Sequence, residues 1–216
     1  MLKLKSTLLF AVILFSLTAF AQTFEGKVTL AIEDEKSGET QSLDYFTDGT
    51  HGAFVVNQEG MDISLIMKKD TMFMVLHPMK MFVAVPFNGE GVKKEGIEEA
   101  EGSVVNTGET KVINGMNCTK YLIKTPDKDE ATAWFTKELG GFFLFNFDNN
   151  GEGPAGMFGN LKELSNQFPV LITEMKDGKE VVMLEVKSVE KMTVDKKLFE
   201  IPSDYKSMEQ GMFDGQ

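Results

Sequence analysis

The sequence predicts a mainly β protein, one antiparallel sheet in a single domain with one amphipathic helix to lie on it. Three observations support this. Short segments that alternate apolar and polar residues recur along the chain, bounded by Asn-Gly, Asp-Gly, Ser-Gly or Pro turn signals. The stretch from Asp62 to Phe87 forms strands that are apolar on both faces. The segment from Met157 to about Gln167 carries its apolar residues at three-to-four spacing.

The first residues read as an export address. Lys3 and Lys5 give a basic start, Leu8 to Phe20 is an apolar run of signal-peptide length, and Ala19-Phe20-Ala21 is a small-x-small cleavage site. A cleaved signal peptide over 1–21 and a single domain over 22–216 are therefore expected, with the product periplasmic or secreted. The cleavage point has no cysteine for lipid attachment, and no later run is long and apolar enough to span a bilayer. No stable membrane anchor is expected.

Without the signal, 20 basic residues face 33 acidic ones, a net charge of −13. This acidity argues against nucleic acid and anionic membrane surfaces as partners. Every basic residue is lysine, so the planar bidentate clamps that arginine offers to phosphate and carboxylate are absent. Cys118 is the only cysteine and sits in a strand pattern, where a small buried hydrophobe is expected. His51 and His77 fall at turns, outside any triad or metal spacing. No catalytic residue, metal or cofactor is expected, and the chain reads as a non-enzyme.

In chain order, Phe24, Val28, Leu30 and Ile32 share one parity of a half-buried strand, and Lys36 to Glu39 turns the chain. Leu43 to Phe46 and Ala53 to Val56 follow as strands around Asp48-Gly49. Then comes the two-faced stretch, with turns at Lys68-Lys69-Asp70 and His77 to Lys80. Pairing across the second turn puts Met72, Met74, Leu76, Met81, Val83 and Val85 on one side, and Phe73, Val75, Phe82 and Ala84 on the other. Each side needs a cover. The acidic, glycine-rich run at about 88–108 reads as a mobile loop.

Strand signals resume in a hairpin of Lys111 to Ile113 and Asn117 to Lys124 around Asn114-Gly115, then in Ala131 to Thr136. Asp148, Asn150 and Glu152 open like a calcium loop, but Gly159 stands where the bidentate glutamate is required. Met157, Phe158, Leu161, Leu164 and Phe168 then form the apolar face of the helix, which Pro169 stops. A last hairpin joins Val170 to Met175 with Glu180 to Val189, and a closing segment reads VDKKLFEIPSDYKSM.

The TGETKVINGMNCTKY stretch, the tryptophan-bearing ATAWFTKELG and LFEIPSDYK resemble an exported bacterial family known only as a domain of unknown function, DUF4412. The resemblance spans the mature chain, and the family is similar in turn to the LolA and LppX lipid and lipoprotein carriers. It implies a curved antiparallel sheet forming an incomplete, LolA-like barrel covered by one or two short helices, with an apolar concave face that receives acyl chains. It also implies a departure, because the LolA carriers use a cavity arginine to hold the closed state and this chain has none.

The expected function is a non-enzymatic carrier of an apolar, acyl-chain or lipid-like ligand. Its expected cavity wall is Met72, Met74, Leu76, Met81, Val83 and Val85, with Trp134 and with Phe158 and Leu161 of the helix. The alternatives are an adaptor whose exposed strand edges recruit another envelope protein, and a copper(I) binder using Met72, Met74, His77, Met79 and Met81 as soft ligands.

Overall fold

The computed structural model describes residues 23–33, 38–58, 61–68, 71–86, 103–124, 130–142, 164, 166–176 and 178–208. The expected signal peptide, the calcium-like loop at 148–159, Phe158, Leu161 and nearly all of the expected helix lie outside them, as does the glycine-rich run up to residue 102.

The described residues form one twelve-stranded sheet. Its strands are β1 (Gly26–Glu33), β2 (Thr40–Thr47), β3 (Gly52–Gln58), β4 (Met61–Lys68), β5 (Thr71–Leu76), β6 (Met81–Pro86), β7 (Ser103–Ile113), β8 (Met116–Lys124), β9 (Glu130–Thr136), β10 (Phe168–Lys176), β11 (Lys179–Lys191) and β12 (Lys206–Ser207). Their order is β12-β6-β5-β4-β3-β2-β1-β11-β10-β9-β8-β7. Neighbours pair antiparallel except the two-residue β12, which lies parallel to β6.

Directly opposed residues share a face, which lets one face be followed across the ladder. Met72 pairs with Met67, Leu65 with Phe54, and Phe54 with Tyr45. Tyr45 pairs with Val28, Ile32 with Leu184, Leu184 with Ile172, Ile172 with Ala133, and Ala133 with Tyr121. This face carries most of a core that draws on β1 to β5 and β8 to β11. In a flat sheet β2 and β10, three ladder steps apart, would stand about 14 Å from each other. Yet the rings of Tyr45 and Phe168 lie 5.5 Å apart. At the β7–β8 turn, Asn114 Nδ2 donates to the Val186 carbonyl on β11 at 2.6 Å, although β9 and β10 lie between them in the ladder. The sheet is therefore curved, and the shared face is concave. It stays open, with β12 and β7 at its two ends.

The curvature has local causes. Register shifts break the ladder between Thr29 and Leu30, Ile172 and Thr173, and Pro169 and Leu171, and such bulges bend and twist a strand. Pro169, expected to stop a helix, instead sits inside β10 next to one of them, where its missing N–H is tolerated. Phe168, assigned to the helix face by its spacing, is the first residue of β10 and fully buried. Gly26 is needed where β1 meets β11, because a Cβ there would come 2.1 Å from the Glu190 carbonyl oxygen.

Ser103 to Gly108, counted with the expected loop at 88–108, belong to β7 instead. That strand is an edge and largely exposed. A strand with so little burial needs few apolar residues, so its sequence reads like a loop.

Candidate functional site

Two surfaces meet at the β4–β6 region, and the convex one has a cover that can be named. On the convex side, Ala53, Ile66 and Val75 form a second buried cluster with Val194 and Phe199; Phe46, Phe73, Phe82, Leu198, Ile201 and Tyr205 pack around it. The closing segment is thus a strap across the outside of the sheet. Polar contacts fasten it at both ends. Near its start, Lys196 Nζ binds Asp48 Oδ2 at 3.0 Å, and the His51 ring lies against Phe199. Near its end, His77 Nδ1 meets the Tyr205 hydroxyl at 2.9 Å, Lys80 binds Asp204 at 2.8 Å, and Lys206 and Met208 donate backbone N–H groups to the Lys80 and Phe82 carbonyls.

The Asp48 carboxylate, between β2 and β3, anchors the start of this strap. Burial opposes its ionisation. Hydrogen bonds from the His51 ring, from Lys196 and from the His51 and Thr50 backbone N–H groups outweigh that, and hold the carboxyl well below the usual carboxylate range.

His77 also lies 2.9 Å through Nε2 from Ser64 Oγ on β4. A serine, a histidine and a second hydroxyl in line resemble the nucleophile-base-orienter pattern. The third member here is a phenol in place of a carboxylate, and Ser64 is buried under the strap's side of the sheet. The arrangement works as a polar bridge between strand and strap.

The concave side of the same strands is uniformly apolar. Ile63, Leu65, Met67, Met72, Met74, Leu76, Met81, Val83 and Val85 occupy it, and no polar side chain interrupts them. Met67, Met72 and Val83 are buried, while Met74, Leu76, Met81 and Val85 are only partly so. The six wall residues expected from β5 and β6 thus share one face.

Trp134 does not join them. It pairs with Lys120 and Leu171, on the parity opposite to Ala133 and Tyr121, and the Lys111 and Lys120 ammonium groups lie over its ring at 4.0 and 5.8 Å. The alternation of β9 holds the reason, because Ala131, Ala133 and Phe135 take the concave side.

Deeper in the concavity, Tyr45, Phe54, Phe142 and Phe168 make a cluster of tilted and edge-on ring contacts with centroids 4.8 to 6.0 Å apart. Protein side chains therefore fill the middle of the curve. Beside this cluster Gln167 Nε2 donates to the Tyr121 hydroxyl at 3.0 Å, and Asn106 Nδ2 reaches the same oxygen at 3.4 Å. The sequence signals neither this trio nor the Ser64–His77–Tyr205 bridge, since the partners lie far apart in the chain. Strand parity alone could have placed Tyr121.

The soft-ligand set is divided. Met72, Met74 and Met81 lie on the concave face, His77 is engaged by Ser64 and Tyr205, and Met79 is 60% exposed. Among the described residues no group of His, Cys, Asp and Glu could hold a metal ion. Cys118 is buried, as its strand setting led us to expect, and burial pushes its thiol above the usual value. No helix among the described residues is long and apolar enough to cross a membrane.

A family model described as a domain of unknown function, DUF4412, matches residues 24–205. No curated protein matches the chain. An uncharacterised conserved protein from Thermus thermophilus is similar in structure, with a TM-score of 0.50 and 10% identity over 87% of this chain and 91% of that one. A LolA superfamily protein from Nitrosomonas europaea aligns with a TM-score of 0.34 and 10% identity, over 84% of this chain and 91% of that one.

Proposed function

Because the chain belongs to the DUF4412 family, whose description assigns no activity, we propose its function from its geometry: a non-enzymatic, exported carrier that holds an apolar, acyl-type ligand on the concave face of β4 to β6. One observation carries this. Nine apolar residues in a row of three strands line that face, and Ile63, Leu65, Met74, Leu76, Met81 and Val85 among them remain partly open beside the buried core. Water on such a surface is unfavourable by roughly 25 cal/mol per Å². Flexible thioethers suit a partner of variable shape.

The absence of catalysis in this reading rests on how the reactive groups are used. Both histidines fasten the strap and the thiol is buried. The adaptor alternative finds less support at the sheet edges. The β7 edge is bulged between Asn106 and Thr110, and part of the β6 edge is occupied by β12, both devices that discourage strand addition. Export rests on the sequence of residues 1–21, and the N-terminal residue of the exported product tests it; Gln22 is expected.

Titration with a neutral fluorescent apolar dye tests the carrier. Saturable binding is expected, weakened at least about tenfold by Met74→Lys, since a buried ammonium is costly. Absence of saturable binding, or binding indifferent to Met74→Lys and Val83→Asp, overturns it.

A further inference from the structure

We propose that Tyr121, Gln167 and Asn106 form a head-group site on the concave face, and that it selects ligands with an uncharged hydrogen-bonding head, such as an acyl ester, amide or alcohol, over free fatty acids. This rests on the carrier reading above and adds to it the chemistry of the ligand's polar end.

The trio runs from solvent into the core. Asn106 is exposed on the edge strand β7, while Tyr121 and Gln167 are 8% and 7% exposed. Tyr121 shares the concave face with Ala133 and Ile172, and its ring lies edge-on to Phe135. Gln167 is fixed through its backbone. Its N–H donates to the Leu164 carbonyl at 2.9 Å, and its carbonyl accepts from the Phe142 N–H at 3.3 Å. The carboxamide is thereby held beside the aromatic cluster of the concave face.

The hydrogen-bonding capacity of this carboxamide is not used up. It has two N–H donors and two acceptor lone pairs. Among the described residues its partner is the Tyr121 hydroxyl alone, at 3.0 Å from Nε2 and a long 3.4 Å from Oε1. The hydroxyl is shared in turn with Asn106 at 3.4 Å, and Asn106 Oδ1 is occupied by the Gly108 N–H. A side chain more than nine-tenths buried with a spare donor and acceptor calls for a further partner. A ligand carbonyl can accept from Gln167 Nε2, and a ligand hydroxyl can donate to Oε1.

Charge decides which head fits. All three side chains are neutral. Lys120 is on the opposite face of β8, paired with Glu109 at 3.0 Å and lying over Trp134. The chain contains no arginine. A carboxylate entering here would lose its hydration without gaining a cation, whereas a neutral head exchanges water for the carboxamide at little loss.

The test compares two ligands with the same oleoyl chain, 1-monooleoylglycerol and oleate, as competitors of a neutral apolar dye at a pH where oleate is ionised. The expected result is competition by the glycerol ester at least about tenfold tighter. Gln167→Leu and Tyr121→Phe should shrink that ratio to about twofold or less in chains that still bind the dye. Equal or tighter binding of oleate overturns the proposal, as does a ratio that neither variant alters while the dye still binds. Tyr121→Phe keeps the test decisive if Gln167→Leu does not fold. A chain that binds no dye at all fails at the carrier reading itself, a result distinct from a lost preference.

Discussion

His77 Nδ1 stands 2.9 Å from the Tyr205 hydroxyl, tying residues 128 positions apart. With Ser64 Oγ at 2.9 Å on the other ring nitrogen, His77 bridges β4 to the closing strap. In a neutral imidazole, whichever nitrogen carries the proton, one hydroxyl accepts from the ring and the other donates to it. Tyr205→Phe removes one of these bonds and leaves a ring nitrogen short of a partner. The expected loss of stability is about 1–2 kcal/mol by urea unfolding, with faster amide exchange at Lys206 and Met208. Unchanged exchange there would show that the strap is held without His77.

Asp48 gives a pH dependence of known sign. Its carboxyl titrates lower in the folded chain than in the unfolded one, because the bonds from His51, Lys196 and the backbone outweigh burial. The unfolded state therefore binds protons first as the pH falls. The stability due to Asp48 is complete above the unfolded carboxylate value of about 3.9 and is lost progressively below it. Asp48→Asn should reduce stability at neutral pH by about 2 kcal/mol, the range for hydrogen bonds to a charged group. It should also flatten the decline between neutral and acid pH. An identical acid slope in the variant and the parent would contradict this assignment.

Cys118 should be silent in the native state. Burial raises its thiol value, so both access and thiolate fraction are low. An aromatic disulfide reagent at mildly alkaline pH should label it only after denaturant is added. Rapid labelling of the native chain would mean that β8 opens readily at this point.

Much of this architecture is legible in the sequence, and the exceptions share a physical cause. The hairpins around Asn114-Gly115 and between Lys176 and Lys179 follow from turn chemistry, and the concave row from Met72 to Val85 follows from strict alternation. Alternation also carries the sign of Trp134, on the convex side, although the tryptophan is easily counted with any apolar wall. The strap is hidden because VDKKLFEIPSDYKSM alternates in neither period; it is held by isolated anchors, Val194, Phe199 and Tyr205. Phe168 and Pro169 imitate a helix end because a bulged central strand can carry a proline. The edge strand β7 imitates a loop because it buries little. The Gln167–Tyr121 contact joins side chains 46 residues apart, which no local pattern signals.

The central claim is that the concave face of β4 to β6 is completed by an apolar ligand. Native mass spectrometry of the chain purified from its own host, followed by organic extraction, tests it most directly. The expected result is a bound acyl compound, released by extraction and missing from the Met74→Lys variant. A ligand-free mass for the parent chain, with nothing recovered in the organic phase and no uptake of added acyl ester, would contradict it.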